Sequence, residues 1–192
     1  MTISRDSEFE YNRSPLVYRV GTTIYFFDEV DGASVCEAIK MIDAIEREKK
    51  ATELTLILNS GGGSIYDGLA LYDRLRTCTL PVTTIGLGMV ASMAFIIFVA
   101  GDKRICTKRV RFLNHQAKIS ISGRVADIDI EQAETKMIED MCIEIIATRT
   151  KLNPQKQKKD TKAGDKYIGA DEALKTGIVH EIIEEITKEQ GI

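Results

Sequence analysis

Cysteine, proline, histidine and charge of one sign are all scarce in this chain. The four cysteines, Cys36, Cys78, Cys106 and Cys142, are widely scattered. No pair has metal-ligand spacing, so no metal site is expected, and the density is too low for a disulfide scaffold. A reducing, cytoplasmic setting is expected. The net charge of −3 (26 basic against 29 acidic residues) supplies no field for nucleic acid. With three prolines there is little punctuation, and neither an internal repeat nor a low-complexity linker breaks the chain. Met1 to Ser14 lacks a basic stretch followed by an apolar one, so a signal peptide is not expected. One stretch lacks charge altogether: Val82 to Gly101 is long enough to span a bilayer, which takes about 20 residues. It opens Val82-Thr83-Thr84, carries Gly86, Gly88 and Ser92, and has no continuous Leu/Ile stripe. It therefore reads as a buried strand, a tight turn and a buried helix, and no membrane association is expected.

What is present is an ordinary globular balance, 44% hydrophobic and 29% charged, over 192 residues. That suffices for one core and is short for two, so residues 1–192 are expected to form a single domain. Strands are expected at Thr23–Phe27, Leu54–Leu58, Val82–Leu87, Lys103–Thr107 and Val110–Asn114. Between them, a helix begins near Ser34, where Glu37 completes a capping box, and buries Val35, Ile39, Ile42 and Ile45. Another begins near Ser64 with Asp67 in its first turn and buries Ile65, Leu69, Tyr72 and Leu75; a third spans Met93–Ala100. This alternation argues for an α/β fold with a largely parallel sheet. Asp127 to Lys151 carries apolar residues at three- and four-residue steps, among them Ile130, Met137, Ile138, Met141 and Ile146. A helix of that length would reach roughly 37 Å, more than a small core needs; it reads as a core helix, or else as one that in part projects and packs on another subunit. The basic stretch Lys151 to Lys162 reads as a solvated helix face with loop. Asp171 to Thr176 reads as a short helix capped by Gly177, with Gly177-Ile178-Val179 closing as a strand.

Chemistry is expected where strands run into helices, because parallel sheets bind ligands at the carboxyl ends of their strands. Gly61-Gly62-Gly63 is one such turn; its backbone can approach a substrate closely and aim N–H groups at developing negative charge. Asn59-Ser60-Gly61-Gly62-Gly63-Ser64 has neither the lysine of a P-loop nor dinucleotide-binding spacing. Ser92 stands at the next strand-to-helix junction. It is either a helix N-cap or a nucleophile on an elbow. A serine nucleophile needs a base near neutral pKa, and His115 ends an apolar strand where such a base would sit. His180, beside Glu181, Glu184 and Glu185, reads as an exposed histidine paired with carboxylates. An acid must orient the imidazole; Asp102, Asp127, Asp140, Asp160, Asp165 and Asp171 are all eligible, and nothing in their spacing chooses among them.

Taken together these residues resemble the proteolytic subunit of the Clp proteases, self-compartmentalised serine peptidases. Leu58-Asn59-Ser60-Gly61-Gly62-Gly63-Ser64 is similar to the family's Asn-Ser-Pro-Gly-Gly loop, with Gly61 in the proline's place. Gly88-Met89-Val90-Ala91-Ser92-Met93-Ala94 resembles its nucleophile segment, and His115-Gln116 its base segment, with Ala117 replacing a proline. Asp165, ahead of Tyr167-Ile168-Gly169-Ala170-Asp171-Glu172-Ala173, aligns with the family's acid. The likeness runs from about Tyr25 to Ile183. The segment from Ala117 to Gly123 lacks the family's glycine-rich stretch, and Lys162-Ala163-Gly164-Asp165 lacks its arginine before the acid.

The resemblance implies a crotonase/Clp-protease-like fold, a repeated β-β-α spiral with a largely parallel sheet and a projecting long handle helix. The amino-terminal segment would be about 1–20 and the handle region about 116–152. It implies Ser92 as nucleophile, His115 as general base and Asp165 as orienting acid. The N–H groups of Gly63 and Met93 would form the oxyanion hole, and substrate would lie along Gly61, Gly62 and Ser64. The implied activity is a serine endopeptidase acting on unfolded protein or peptides through an acyl-enzyme, inside heptameric rings, single or stacked into a tetradecamer. No cofactor is implied, ATP being used only by a separate AAA+ unfoldase. Alternatives are a viral capsid-processing protease of the same type, an inactive ring subunit, and a crotonase-type acyl-CoA enzyme.

Overall fold

Local signals set where each element starts. In the computed structural model, which describes residues 16–118, 120 and 122–184, β1 (Val17–Val20) and β2 (Thr23–Phe26) form an antiparallel hairpin. Gly21, at φ 59, makes the tight turn, and Tyr18 stacks on Tyr25 across the pair at 4.6 Å. Helix α1 (Gly32–Arg47) is capped by Asp31, whose carboxylate accepts from Ser34 N at 2.8 Å while Ser34 Oγ accepts from Asp31 N at 3.0 Å. This reciprocal box replaces the expected Ser34–Glu37 one: Ser34 lies inside the helix, and Glu37 pairs with Lys40 at 2.7 Å instead. β3 (Leu54–Ser60) runs into α2 (Ile65–Arg76), capped by Ser64 as expected. There the buried residues are Gly68, Leu71 and Leu75; Ile65, Leu69 and Tyr72 are only partly covered.

The charge-free run divides into β4 (Val82–Ala91) and α3 (Met93–Phe98). No helix among the described residues is long and apolar enough to cross a membrane. β5 (Lys103–Thr107) and β6 (Arg111–Asn114) follow, then the long α4 (Val125–Arg149), α5 (Pro154–Ala163), β7 (Lys166–Gly169), α6 (Ala170–Lys175) and β8 (Glu181–Ile183). The closing strand is thus β8 rather than Gly177–Val179. Gly177, at φ 70, terminates α6, and Ile178 and Val179 enter the core as loop residues.

The sheet runs β1-β2-β3-β4-β5-β8, with β6 also on β4 and β7 on β6. Every pairing is parallel except β1 with β2 and β6 with β7. The fold is mixed α/β, with a mostly parallel sheet and one long helix. β4 organises the site because it has two partners. Thr83–Gly86 pair with β5, while Met89–Ala91 pair with β6. Phe26, Leu56, Leu58, Phe95, Phe98 and Phe112 fill the main core. Ile57, Ile85 and Ile105 form a smaller cluster, with Tyr25, Phe27 and Leu87 packed on it, so the central strands read as continuous apolar runs.

Two features depart from expectation in α4 and at His180. Of the apolar residues of α4 only Ile138 and Ile146 are buried; Val125, Ile130, Met137 and Met141 are exposed. His180 does not pair with carboxylates: its Nδ1 accepts from Arg104 N at 3.1 Å, and its Nε2 lies 2.9 Å from the Arg104 guanidinium. Arg104 is 4% exposed and donates to the carbonyls of Gly101, Arg149, Gly177 and Ile178. It thereby ties the end of α4 and the segment before β8 to β5.

Candidate active site

The nucleophile candidate is placed by an irregularity in β4. The register of β3 against β4 shifts between Leu58 and Ser60. Gly88 takes φ 50 there, and Asn59 Oδ1 accepts from Met89 N at 3.1 Å. Such a bulge re-aims the residues that follow it. Ser92 comes next, with φ 52 and ψ −124, a conformation costly for an L-residue. It occupies the N-cap position of α3, yet its side chain makes no capping hydrogen bond. The simple capping role therefore does not account for the serine. Its amide donates to Leu113 O at 2.9 Å, locking the turn to β6.

The glycine loop presses directly on this turn. A Cβ at Gly62 would stand 2.6 Å from Ser92 Cβ, 2.7 Å from Ala91 O and 3.0 Å from Met93 N. Nothing larger than glycine fits. The loop is itself tied down: Gly62 N donates to Ser60 Oγ at 3.1 Å, Val30 N to Gly62 O at 2.8 Å and Ser64 N to Val30 O at 2.7 Å. In this parallel bridge of Val30 with Gly63, the N–H of Gly63 points away from Val30. Met93 opens α3, so its N–H is one of the helix's unpaired first donors. The amides of Gly62 and Ser64 are already committed, whereas Gly61 is exposed, with open space where a side chain would stand.

Strand register brings the other two residues alongside. Ala91 pairs with Leu113, so the parallel ladder carried onward sets Ser92 beside Asn114, with His115 one residue beyond. The antiparallel ladder of β6 and β7 pairs Asn114 with Lys166, so one further step sets His115 opposite Asp165. His115 Nδ1 lies 3.9 Å from Asp165 Oδ1. It is buried with no hydrogen-bond partner. Of the aspartates eligible from sequence, Asp165 alone is paired with His115 among the described residues; Asp102, Asp127 and Asp140 are engaged by Arg76, Arg124 and Lys158.

Ser92, His115 and the Gly61–Gly63 loop open on one cleft of about 1220 Å³. Asp165 stands behind His115, outside the lining. The cleft has features that sequence reasoning did not reach. Ile65, Ile96, Ile138, Cys142 and Ile146 give it an apolar floor. Burial, and then the Glu139 charge, push the Cys142 thiol up to about 11, so it acts there as an apolar group. Glu139 Oε1 accepts from Ala117 N at 3.0 Å, fastening the segment after His115 to α4. Only the fold joins those two residues; no local signal marks the pair. Among the described residues no group of three or more His, Cys, Asp and Glu is gathered as a metal ion would need. The arrangement of an uncapped hydroxyl, an imidazole backed by a carboxylate, and two N–H groups suits acyl transfer through a covalent intermediate.

The chain is similar to known proteins over most of its length. The family model described as Clp protease matches residues 14–186. The ATP-dependent Clp protease proteolytic subunit of Deinococcus radiodurans is 29% identical over 160 residues, covering 82% of this chain and 76% of that protein. Proteolytic subunit 3 of Nocardia farcinica is 30% identical over 165 residues, covering 84% and 74%. Proteolytic subunit 1 of Rhodopirellula baltica is 29% identical over 162 residues, covering 83% and 71%.

Proposed function

Since the chain belongs to the Clp protease family, we propose that it is a serine endopeptidase whose triad is Ser92, His115 and Asp165. The observation that carries this reading is Ser92, held at φ 52 against Gly62, relieved of capping duty, and opening on the same cleft as His115. Ser92 Oγ attacks the scissile carbonyl as His115 Nε2 takes its proton. Asp165, on the Nδ1 side, favours the tautomer that leaves Nε2 free and stabilises the imidazolium. The oxyanion is received by the N–H groups of Gly63 and Met93, each such donor being worth roughly 2.7–4 kcal/mol in the transition state. His115 then returns the proton to the leaving amine, and water attacks the acyl-enzyme by the same route.

The 3.9 Å between His115 Nδ1 and Asp165 exceeds a hydrogen bond. Catalytic contacts commonly tighten only in the substrate complex, and assembly into rings is the natural source of that tightening here. The exposed Val125, Ile130, Met137 and Met141 of α4 offer the apolar surface for it. The substrate is unfolded polypeptide, with Gly61 to Ser64 lining its path. The chain needs no cofactor of its own and works in the cytoplasm, with ATP entering only through an unfoldase.

Fluorophosphonate labelling with native mass measurement tests the reading. The expected result is one adduct per subunit on Ser92, absent in Ser92→Ala, in whichever assembly native mass reveals. An assembled wild type that stays unlabelled would overturn the proposal.

A further inference from the structure

The cleft is electrically lopsided. Its β2 end carries Asp28 and Glu29. The end formed by α4, α5 and the segment after His115 carries Lys118, Lys136, Lys158 and Lys162 against only Glu139 and Asp140. Both of those carboxylates are occupied. Glu139 accepts from Ala117 N, and Asp140 pairs with Lys158 at 2.6 Å. Lys136 stands one helical turn before Asp140 on α4, and Lys162 one turn after Lys158 on α5; Lys158 first, with Lys136 and Lys162 adding to it, holds the Asp140 carboxyl below its usual range. Lys118, Lys136 and Lys162 have no ion-pair partner among the described residues. Lys118 stands three residues after His115 and Lys162 three before Asp165, so these lysines adjoin the imidazole, whereas Glu29 lies against Gly63.

We infer that the lysine end is a specificity subsite for a substrate carboxylate, so that the enzyme selects peptides with an acidic residue on the His115 side of the scissile bond. This rests on the peptidase reading and narrows it. An acidic side chain entering there meets unpaired ammonium groups in a concave site, where field lines converge. A basic side chain meets like charge. The contacts remain partly solvated, so selection is moderate and weakens with salt.

The test uses internally quenched peptides with one apolar cleavage site, identical except for Glu, Gln or Lys at each flanking position in turn. At low salt, Glu on one side of the bond should exceed Lys in kcat/KM by about tenfold, the factor that ~1.4 kcal/mol produces, chiefly through KM. Lys136→Met with Lys162→Met should reduce the ratio toward one. Lys136→Glu with Lys162→Glu should invert it. Lys159→Glu, on the same helix but outside the cleft, should leave it unchanged. Each variant is first checked for wild-type Ser92 labelling, so that loss of fold or assembly is not mistaken for loss of selectivity. Cleavage without charge preference, or a preference unmoved by the paired substitutions, would sink this inference and leave the peptidase reading intact. Neither cleavage nor labelling in the wild type would sink both.

Discussion

Ser92 holds a backbone conformation that glycine would hold more cheaply. A residue in such a region typically costs about 1–3 kcal/mol, and here φ 52 and ψ −124 are imposed by the glycine loop on one side and by the bond to Leu113 O on the other. Strain of this kind survives where activity requires it and stability does not. Ser92→Gly should therefore abolish activity and raise stability by about 1 kcal/mol, once the ~0.5–1 kcal/mol of extra unfolded-chain entropy is set against the relieved strain. For a chain of this size that is about 2–4 °C in melting temperature. Ser92→Ala removes the same hydroxyl but keeps the strained backbone, so it should lose activity with no such gain. Thermal melts of the two variants side by side make the check; a glycine variant less stable than the alanine one would mean that the turn is not strained. At this scale the sequence was readable. Ser92, His115 and the glycines stood out as candidates from residue type and position, with Ser92 still open to a helix N-cap reading, and the structure sets all of them on one cleft. Asp165 was not: several aspartates were eligible on composition, and only its likeness to the family motif singled it out before register and the 3.9 Å contact did.

Elements with strong local signals came out as read, and those held by tertiary contacts did not. The charge-free run was recognised as strand, turn and helix, and Ser64 was recognised as a cap, because the signals lie within a few residues. The cap of α1 was missed by one turn, since Asp31 and Ser34 are both good caps and the choice depends on Ser34 Oγ donating to Glu29 O at 2.7 Å. β1 and β7 went unrecognised; β1 carries Arg19, and β7 opens on Lys166 and closes on Gly169, which breaks up any apolar run. In α4 the apolar spacing suggested a buried stripe, yet the helix buries only Ile138 and Ile146 and turns further apolar residues outward. One link between elements bears on catalysis. Glu139 on α4 accepts from Ala117 N, two residues past His115, and a hydrogen bond to a charged group is worth about 1.5–3 kcal/mol. On the proposed peptidase reading Glu139 is a positioning residue. Glu139→Ala should lower kcat by roughly tenfold or more and lower the melting temperature by several degrees as well, and Glu139→Gln, which keeps an acceptor oxygen, should restore most of both. Steady-state kinetics on one peptide would show this. Equal loss in both variants would mean that the carboxylate does something other than hold the loop.

For the whole molecule, stability should respond to acid in two separate windows, because the histidine and the carboxylates are shifted for different reasons. His180 sits on the seam joining β5, α4 and the segment before β8. Its Nδ1 accepts from Arg104 N while Arg104, Arg149 and Lys103 lie around it. Burial first, and then these cations, push its pKa below the ordinary value of 6.5. The unfolded chain therefore takes up a proton near pH 6.5 that the native state refuses. Stability contributed this way is complete above that pH and is lost as pH falls from 6.5 toward the lowered native value. Glu46 behaves as a carboxylate does. Its Oε1 accepts from Thr79 N and Thr79 Oγ1 at 2.6 and 2.7 Å, and it is paired with Arg74. These contacts lower its pKa from 4.5 to about 2. Its contribution is complete above pH 4.5 and disappears as pH drops through about 2. Melting temperature followed from pH 7.5 downward should fall first below pH 6.5, then again below pH 4.5. His180→Asn, which keeps an acceptor near the Nδ1 position but cannot take up a proton, should flatten the first fall and leave the second. Glu46→Gln should do the reverse, starting from a lower stability at neutral pH. If the first fall persisted in His180→Asn, the neutral histidine on Arg104 would not be the group that makes this fold sensitive to mild acid.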